Sequence, residues 1–251
     1  MTPVGQFVSR LHPTWINKMP DSPLPYRFGV TPMSFLGAAV QHAVHLGDRS
    51  KLTGVGFIGN GLGVAENGAP SLNPRPEELT GSISFGGRLG VFATPQVELG
   101  LGGVASPYGP SLGRWYGTVT ADAAWTGLEG VDVRAEYVHS AWQGGGLDAM
   151  WTQVAWRMLQ VDSIRWLEPA VRFGWAAGST FAEVEGFEDE IGPPATVQGA
   201  ESALTLDGEP AYEFCVGANA YLRSNVVAKV AYIHRIEVFQ PTVRLQIAFG
   251  Y

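Results

Sequence analysis

The sequence predicts an all-β protein, an antiparallel transmembrane β-barrel, on three observations. Apolar side chains alternate with polar or small ones along segment after segment of about ten residues, the period of a strand with two unlike faces. The connections between these segments are tight and long in turn. Charged residues make up 16% of the chain, against roughly 25% in a typical soluble domain.

Taken in order, residues 2–10 read as the end of a strand. Residues 11–32 hold Pro13, Pro20, Pro23, Pro25 and Pro32 and read as an irregular loop. Alternation begins at Ser34 and runs to Leu46, then returns over Lys51–Asn60 after the turn at 47–50. Over Ser82–Phe92, Ile83, Phe85, Leu89 and Val91 oppose Ser84, Gly86, Arg88 and Gly90. Val97, Leu99 and Leu101 then oppose Glu98 and Gly100. Trp115, Val119 and Trp125 oppose Arg114, Thr120 and Asp122, and Val133 and Tyr137 oppose Asp132, Arg134 and Glu136. Further strands are expected around 153–158, 167–175, 212–222 and 226–237. The last, Val243–Tyr251, has Val243, Leu245, Ile247, Phe249 and Tyr251 on one face and Arg244, Gln246, Ala248 and Gly250 on the other.

This gives about eleven strands in one domain, 1–251, with no helix expected. Tight turns fall at 47–50, 94–96, 127–130, 161–163 and 223–225. Longer connections fall at 61–78, 105–112, 142–148 and 178–208, with 238–240 a short exception. Hydrocarbon offers the backbone no hydrogen-bond partner, so a sheet that crosses it must close, apolar side out. A soluble strand would carry Lys and Glu on its outer face. Here Lys occurs only at 18, 51 and 229, and the charges fall among Gly, Ser and Thr on one face. The apolar face ends repeatedly in aromatics that suit interfacial girdles: Trp115, Trp125, Tyr137, Trp156, Trp175, Tyr232, Phe249 and Tyr251. Net charge −7 leaves no basic patch for a nucleic acid. The single Cys215 excludes an intrachain disulfide and a cysteine-based zinc cluster. No basic and apolar leader follows Met1.

Several stretches resemble Gram-negative outer-membrane porins related to the phosphate-selective porin O/P family. They are Arg10 to Lys18, Gly29 to Pro32, Leu36-Gly37, Gly59 to Gly61, Asp132 to Val138, Gly217 to Leu222 and Val230 to Tyr232. The resemblance implies a bacterial outer-membrane location and a diffusion channel of 16 strands, assembled as a homo-oligomer, a trimer. Lys and Arg do not dominate the inward face as they do in that family, and Gln246 stands near the place of its C-terminal glycine. On this reading Met1 is an internal start, and a signal peptide and several strands precede it.

The expected pore lining is Arg88, Glu98, Arg114, Asp122, Asp132, Arg134, Glu136, Arg157, Glu168, Arg172, Glu213, Lys229, Arg235, Glu237 and Arg244. Interleaved signs on such a wall either pair across strands or set Arg134, Arg157 and Arg172 as a positive ladder. The function expected is weakly selective passive diffusion of small hydrophilic solutes or ions, including phosphate and other anions. The alternatives are a plugged, structural or adhesive barrel acting through its loops, and a soluble ligand-binding barrel. The acidic loop 178–208 reads as a constriction, a divalent-cation site or a solvated loop. His139 and Ser140 are adjacent on a strand and face opposite sides, so no catalytic set is expected, and no metal or cofactor. The chain is expected not to be an enzyme; its partners are outer-membrane lipid and the solute.

Overall fold

The computed structural model describes residues 18–27, 36–64, 70–71, 82–108, 113–143, 145–158, 164–178, 210–236 and 241–249. Nearly all of them lie in strands: β1 (Gly37–His45), β2 (Lys51–Asn60), β3 (Gly63–Val64), β4 (Pro70–Ser71), β5 (Ile83–Thr94), β6 (Val97–Tyr108), β7 (Arg114–Trp125), β8 (Val131–Trp142), β9 (Gly145–Trp156), β10 (Trp166–Gly178), β11 (Ala211–Arg223), β12 (Val226–Arg235) and β13 (Thr242–Phe249). Eleven of these form one antiparallel sheet in the order β1-β2-β5-β6-β7-β8-β9-β10-β11-β12-β13, while β3 and β4 make a separate small ribbon. Each strand pairs with the next in the chain, the up-and-down order of a barrel wall. Among the described residues the sheet has two edges, β1 and β13.

The sequence expectation of an all-β, barrel-like fold and of eleven main strands agrees with this sheet. Two boundaries differ. Residues 142–148 read as a loop because of their glycines, yet Gly145 pairs with Trp142 and Gly146 with Ala141. The ladder bonds come from backbone, so glycine weakens a strand without stopping it. Likewise β6 continues to Tyr108, which pairs with Arg114. The expectation of no helix is corrected by α1 (Leu24–Arg27), a single turn. Pro23 and Pro25 suit the first turn of a helix, where no N–H is needed, and the Tyr26 amide donates to the Pro23 carbonyl at 3.0 Å. At the tight end, Gly47 and Gly130 hold φ of 87° and 76°, a left-handed conformation that glycine adopts without strain.

The two faces are inverted relative to a water-soluble protein. On β5, Phe85 and Leu89 are exposed while Ser84 and Arg88 are buried. On β10 and β11, Arg172 (1% exposed) and Glu213 (0%) are interior, while Val171, Phe173, Phe214 and Val216 are exposed. Leaving such an apolar side chain in water forgoes about 1.5–3 kcal/mol each, so this wall favours an apolar surrounding. Residues 2–10, most of the 178–208 loop, Glu237 and Tyr251 lie outside the described residues.

Candidate functional site in the lumen

The polar face of the sheet lines an interior, and its charges meet across strands. Arg88 on β5 reaches over β6 to Asp122 on β7, with Nε donating to Oδ2 at 2.8 Å, and its Nη2 donates to Glu98 at 3.0 Å. The reach depends on glycine. A Cβ on Gly100 would lie 2.3 Å from Arg88 Nη2 and 2.5 Å from Asp122 Oδ2. Glycine at this position opens the path between two strands that do not touch. On β8, Arg134 makes a two-pronged contact with Asp132, at 2.8 and 3.1 Å.

The other half of the wall holds a peptide. Residues 11–32 read as an irregular loop in the sequence, but the described part, 18–27, lies against the inner faces of β8 to β13. Leu24, 0% exposed, packs with Val138, Leu147, Ala149, Ala176 and Ala211. Met19, 1% exposed, packs with Ala155, Ala170, Cys215, Ala231 and Ile233. The seat is made of small side chains, and a Cβ on Gly174 would come within 2.8 Å of Leu24 Cβ. Larger residues on this face would fill the space the segment occupies.

Polar ties hold the same segment at both ends. Lys18 Nζ lies 2.9 Å from Glu168 Oε2, and Asn219 Nδ2 donates to the Lys18 carbonyl at 3.0 Å and to Glu168 Oε1 at 3.1 Å. Arg172 donates to the carbonyls of Asp21 (2.8 Å) and Ser22 (3.0 Å) and pairs with Glu213 at 3.0 Å. Arg235 bridges Glu213 (3.1 Å) and Asp21 (3.3 Å), and Arg244 lies 3.6 Å from Asp21. The Tyr26 hydroxyl donates to Glu136. Burial, and then the neighbouring Glu136 carboxylate, raise the Tyr26 pKa well above its ordinary value, because both disfavour the phenolate.

Most of the expected pore-lining residues therefore converge on two clusters. Arg88, Glu98 and Asp122 form one. Arg157, Glu168, Arg172, Glu213, Arg235 and Arg244 join the other, around the segment, with Lys229 buried on the same face. The positive ladder is not formed: Arg134 pairs with Asp132, Arg157 with Glu168 at 3.5 Å and Arg172 with Glu213. Arg114 is exposed at a strand end. Of the girdle aromatics, Trp115, Trp125, Tyr137, Trp156, Tyr232 and Phe249 are exposed on the apolar face, and Trp175 is half-buried there. Cys215 is buried inside, as its place among small inward residues suggests.

Sequence reasoning missed Lys18, Met19, Asp21, Leu24 and Tyr26. The available signal was the run of Ala and Gly at inward positions of β9 to β12, a wall thinned to receive something. It also placed every strand charge on one face, and Asp148 corrects that. Asp148 is partly exposed on the apolar side, beside Tyr137 and His139.

No protein-family model and no curated protein matches the chain. Among solved structures, the chain is similar to LpxR from Salmonella typhimurium, at 15% identity over 86% of this chain and 88% of that one, with a TM-score of 0.29. The expectation that the chain is not an enzyme finds no support in this comparison, since LpxR is an outer-membrane lipid A deacylase. A likeness of this strength assigns no activity and no residue to this chain.

Proposed function

We propose that the chain is the wall of an outer-membrane channel that passes small hydrophilic solutes or ions with weak selectivity, narrowed by its own Lys18–Arg27 segment. The observation that carries this reading is the segment itself, seated in the interior on apolar side chains with ion pairs beside them, within a wall that is apolar outside. Selectivity in a pore comes from unbalanced charge at a constriction. At this constriction Asp21, Glu136, Glu168 and Glu213 face Lys18, Arg157, Arg172, Lys229, Arg235 and Arg244, so most of the charge is compensated and the field along the bore is weakly positive. A trimer, by resemblance to porins, belongs to the same proposal.

Reversal potentials in planar bilayers under a salt gradient test this reading. Weakly selective unit currents support it; strong anion selectivity, or no current at all, contradicts it. A second reading, a barrel plugged by the segment that acts through its surface, draws support from the near-complete burial of Met19 and Leu24. That reading expects no current from the native chain.

A further inference from the structure

The apolar outer face carries one feature that a channel does not need. Among the described strand residues, Asp148 is the one Asp, Glu, Lys or Arg that points outward. Its Oδ1 accepts from the Tyr137 hydroxyl and lies 2.9 Å from His139 Nδ1. His139 and Asp148 are 50% and 43% exposed and face each other across the β8–β9 ladder. An ionisable side chain on a lipid-facing wall is uncommon and is held by partners, here Tyr137 and His139, which makes the pair a candidate site.

The register places this pair in line with a furrow. Gly56 pairs with Gly87 and Gly87 with Gly103, so three neighbouring strands present no side chain in one outward row. The same row continues through Val119 to His139 and Asp148. Leu89 and Leu101 border the row on one side, and Ile58 and Phe85 on the other, all exposed. A depression of about 350 Å³ is lined by Gly87, Leu89, Leu101 and Gly103, together with Val55, Arg88 and Gly102 of the inward-facing set. At roughly 4.8 Å between strands, the row from Gly56 to Asp148 spans about 24 Å, of which the glycine furrow is about 10 Å, with Val119 between it and the His139–Asp148 pair. His139 and Asp148 each lie three residues inside the hairpin tip. That is about 10 Å along the strand, and less in depth once strand tilt is allowed for, which is the zone where headgroups meet acyl chains.

The chemistry of the pair selects the ligand. With Asp148 Oδ1 occupied, the outward acceptors are Asp148 Oδ2 and, when Nδ1 carries the proton shared with the carboxylate, His139 Nε2. An ammonium group offers three donors and the opposite charge; a phosphate offers neither. We infer that this face holds a phospholipid with a primary ammonium headgroup, the ammonium on Asp148 and His139 and one acyl chain along the glycine furrow. The inference rests on the lipid-facing wall but not on conduction through it.

Native mass spectrometry of the whole chain tests it. The protein is released from mixed micelles holding equal amounts of phosphatidylethanolamine and phosphatidylglycerol with matched acyl chains. Retention of phosphatidylethanolamine at least tenfold over phosphatidylglycerol is expected, falling to near parity in Asp148→Asn. Gly56→Leu, whose Cβ would meet nothing within 4 Å, is expected to lower retention severalfold by filling the furrow. Equal retention of both lipids by the native chain, or selectivity unchanged in both variants, overturns the proposal. So does a native spectrum dominated by protein dimers that Asp148→Asn dissolves, because the occupant is then a second copy. Heat-modifiable gel mobility of each variant separates loss of the lipid site from loss of the barrel.

Discussion

Leu24→Ala isolates the segment from the wall. Leu24 is fully buried in a seat made of Val138, Leu147, Ala149, Ala176 and Ala211. Truncating a buried Leu to Ala costs about 2–5 kcal/mol, more where the surroundings cannot collapse into the gap. Here most of the surroundings are Ala and Val side chains on a hydrogen-bonded sheet, with Leu147 and Trp142 beside them, so the loss belongs near the middle of that range. About 3 kcal/mol shifts the ratio of seated to released segment by roughly 10²-fold, at 1.4 kcal/mol per factor of ten. The single cysteine reports it. Cys215 is buried beside Met19 on the inner face, and release of the segment uncovers it to the lumen. When reaction proceeds through the released state, modification by a small hydrophilic thiol reagent tracks that population. It is expected to speed up by about two orders of magnitude in Leu24→Ala, with heat-modifiable mobility retained. An unchanged rate in a folded variant refutes the seating.

Three further outcomes follow from the same geometry. Gly100→Val drives a Cβ to 2.3 Å from Arg88 Nη2 and breaks a buried ion pair, which costs about 3–5 kcal/mol. Its unfolding midpoint in urea drops accordingly, while Gly117→Ala, whose Cβ meets nothing within 4 Å, stays near the native value. Arg172→Ala takes one of its cations from Glu213 and removes the donors to the Asp21 and Ser22 carbonyls, so Cys215 modification accelerates in this variant too. Tyr26 sets a pH dependence. Its raised pKa means the seated state favours the neutral phenol, so seating is at full strength below the ordinary tyrosine value of 10.0 and weakens as pH climbs past it. Conductance recorded from pH 9 to above 10 rises in the native chain, and Tyr26→Phe removes that rise.

The wall was legible in the sequence because a strand spaces its chemistry by two. Leu99 and Leu101 against Glu98 and Gly100 declare both the strand and its faces without any tertiary knowledge. Glycine hid the start of β9, since Gly145 and Gly146 have no side chain to show the period. The segment at 18–27 was illegible for a different reason. Its prolines and mixed polarity say only that it is irregular, and its position depends on contacts with residues more than a hundred positions away, such as Glu168 with Lys18 and Arg172 with Asp21. The pairing of Arg88 with Asp122 depends on Gly100 between them, and an interleaved charge pattern does not reveal which cation meets which carboxylate. Asp148 was passed over because it follows Gly145, Gly146 and Leu147, where the faces were hidden.

The central claim is that Lys18–Arg27 narrows a conducting lumen. The most direct test is unit conductance in planar bilayers, native chain against Leu24→Ala, at one salt concentration and neutral pH. Small, weakly selective currents are expected from the native chain, and a larger unit conductance or a longer-lived open level from the variant. Identical currents, with Cys215 modified faster in the variant, would place the segment inside the wall but off the conduction path and contradict the claim.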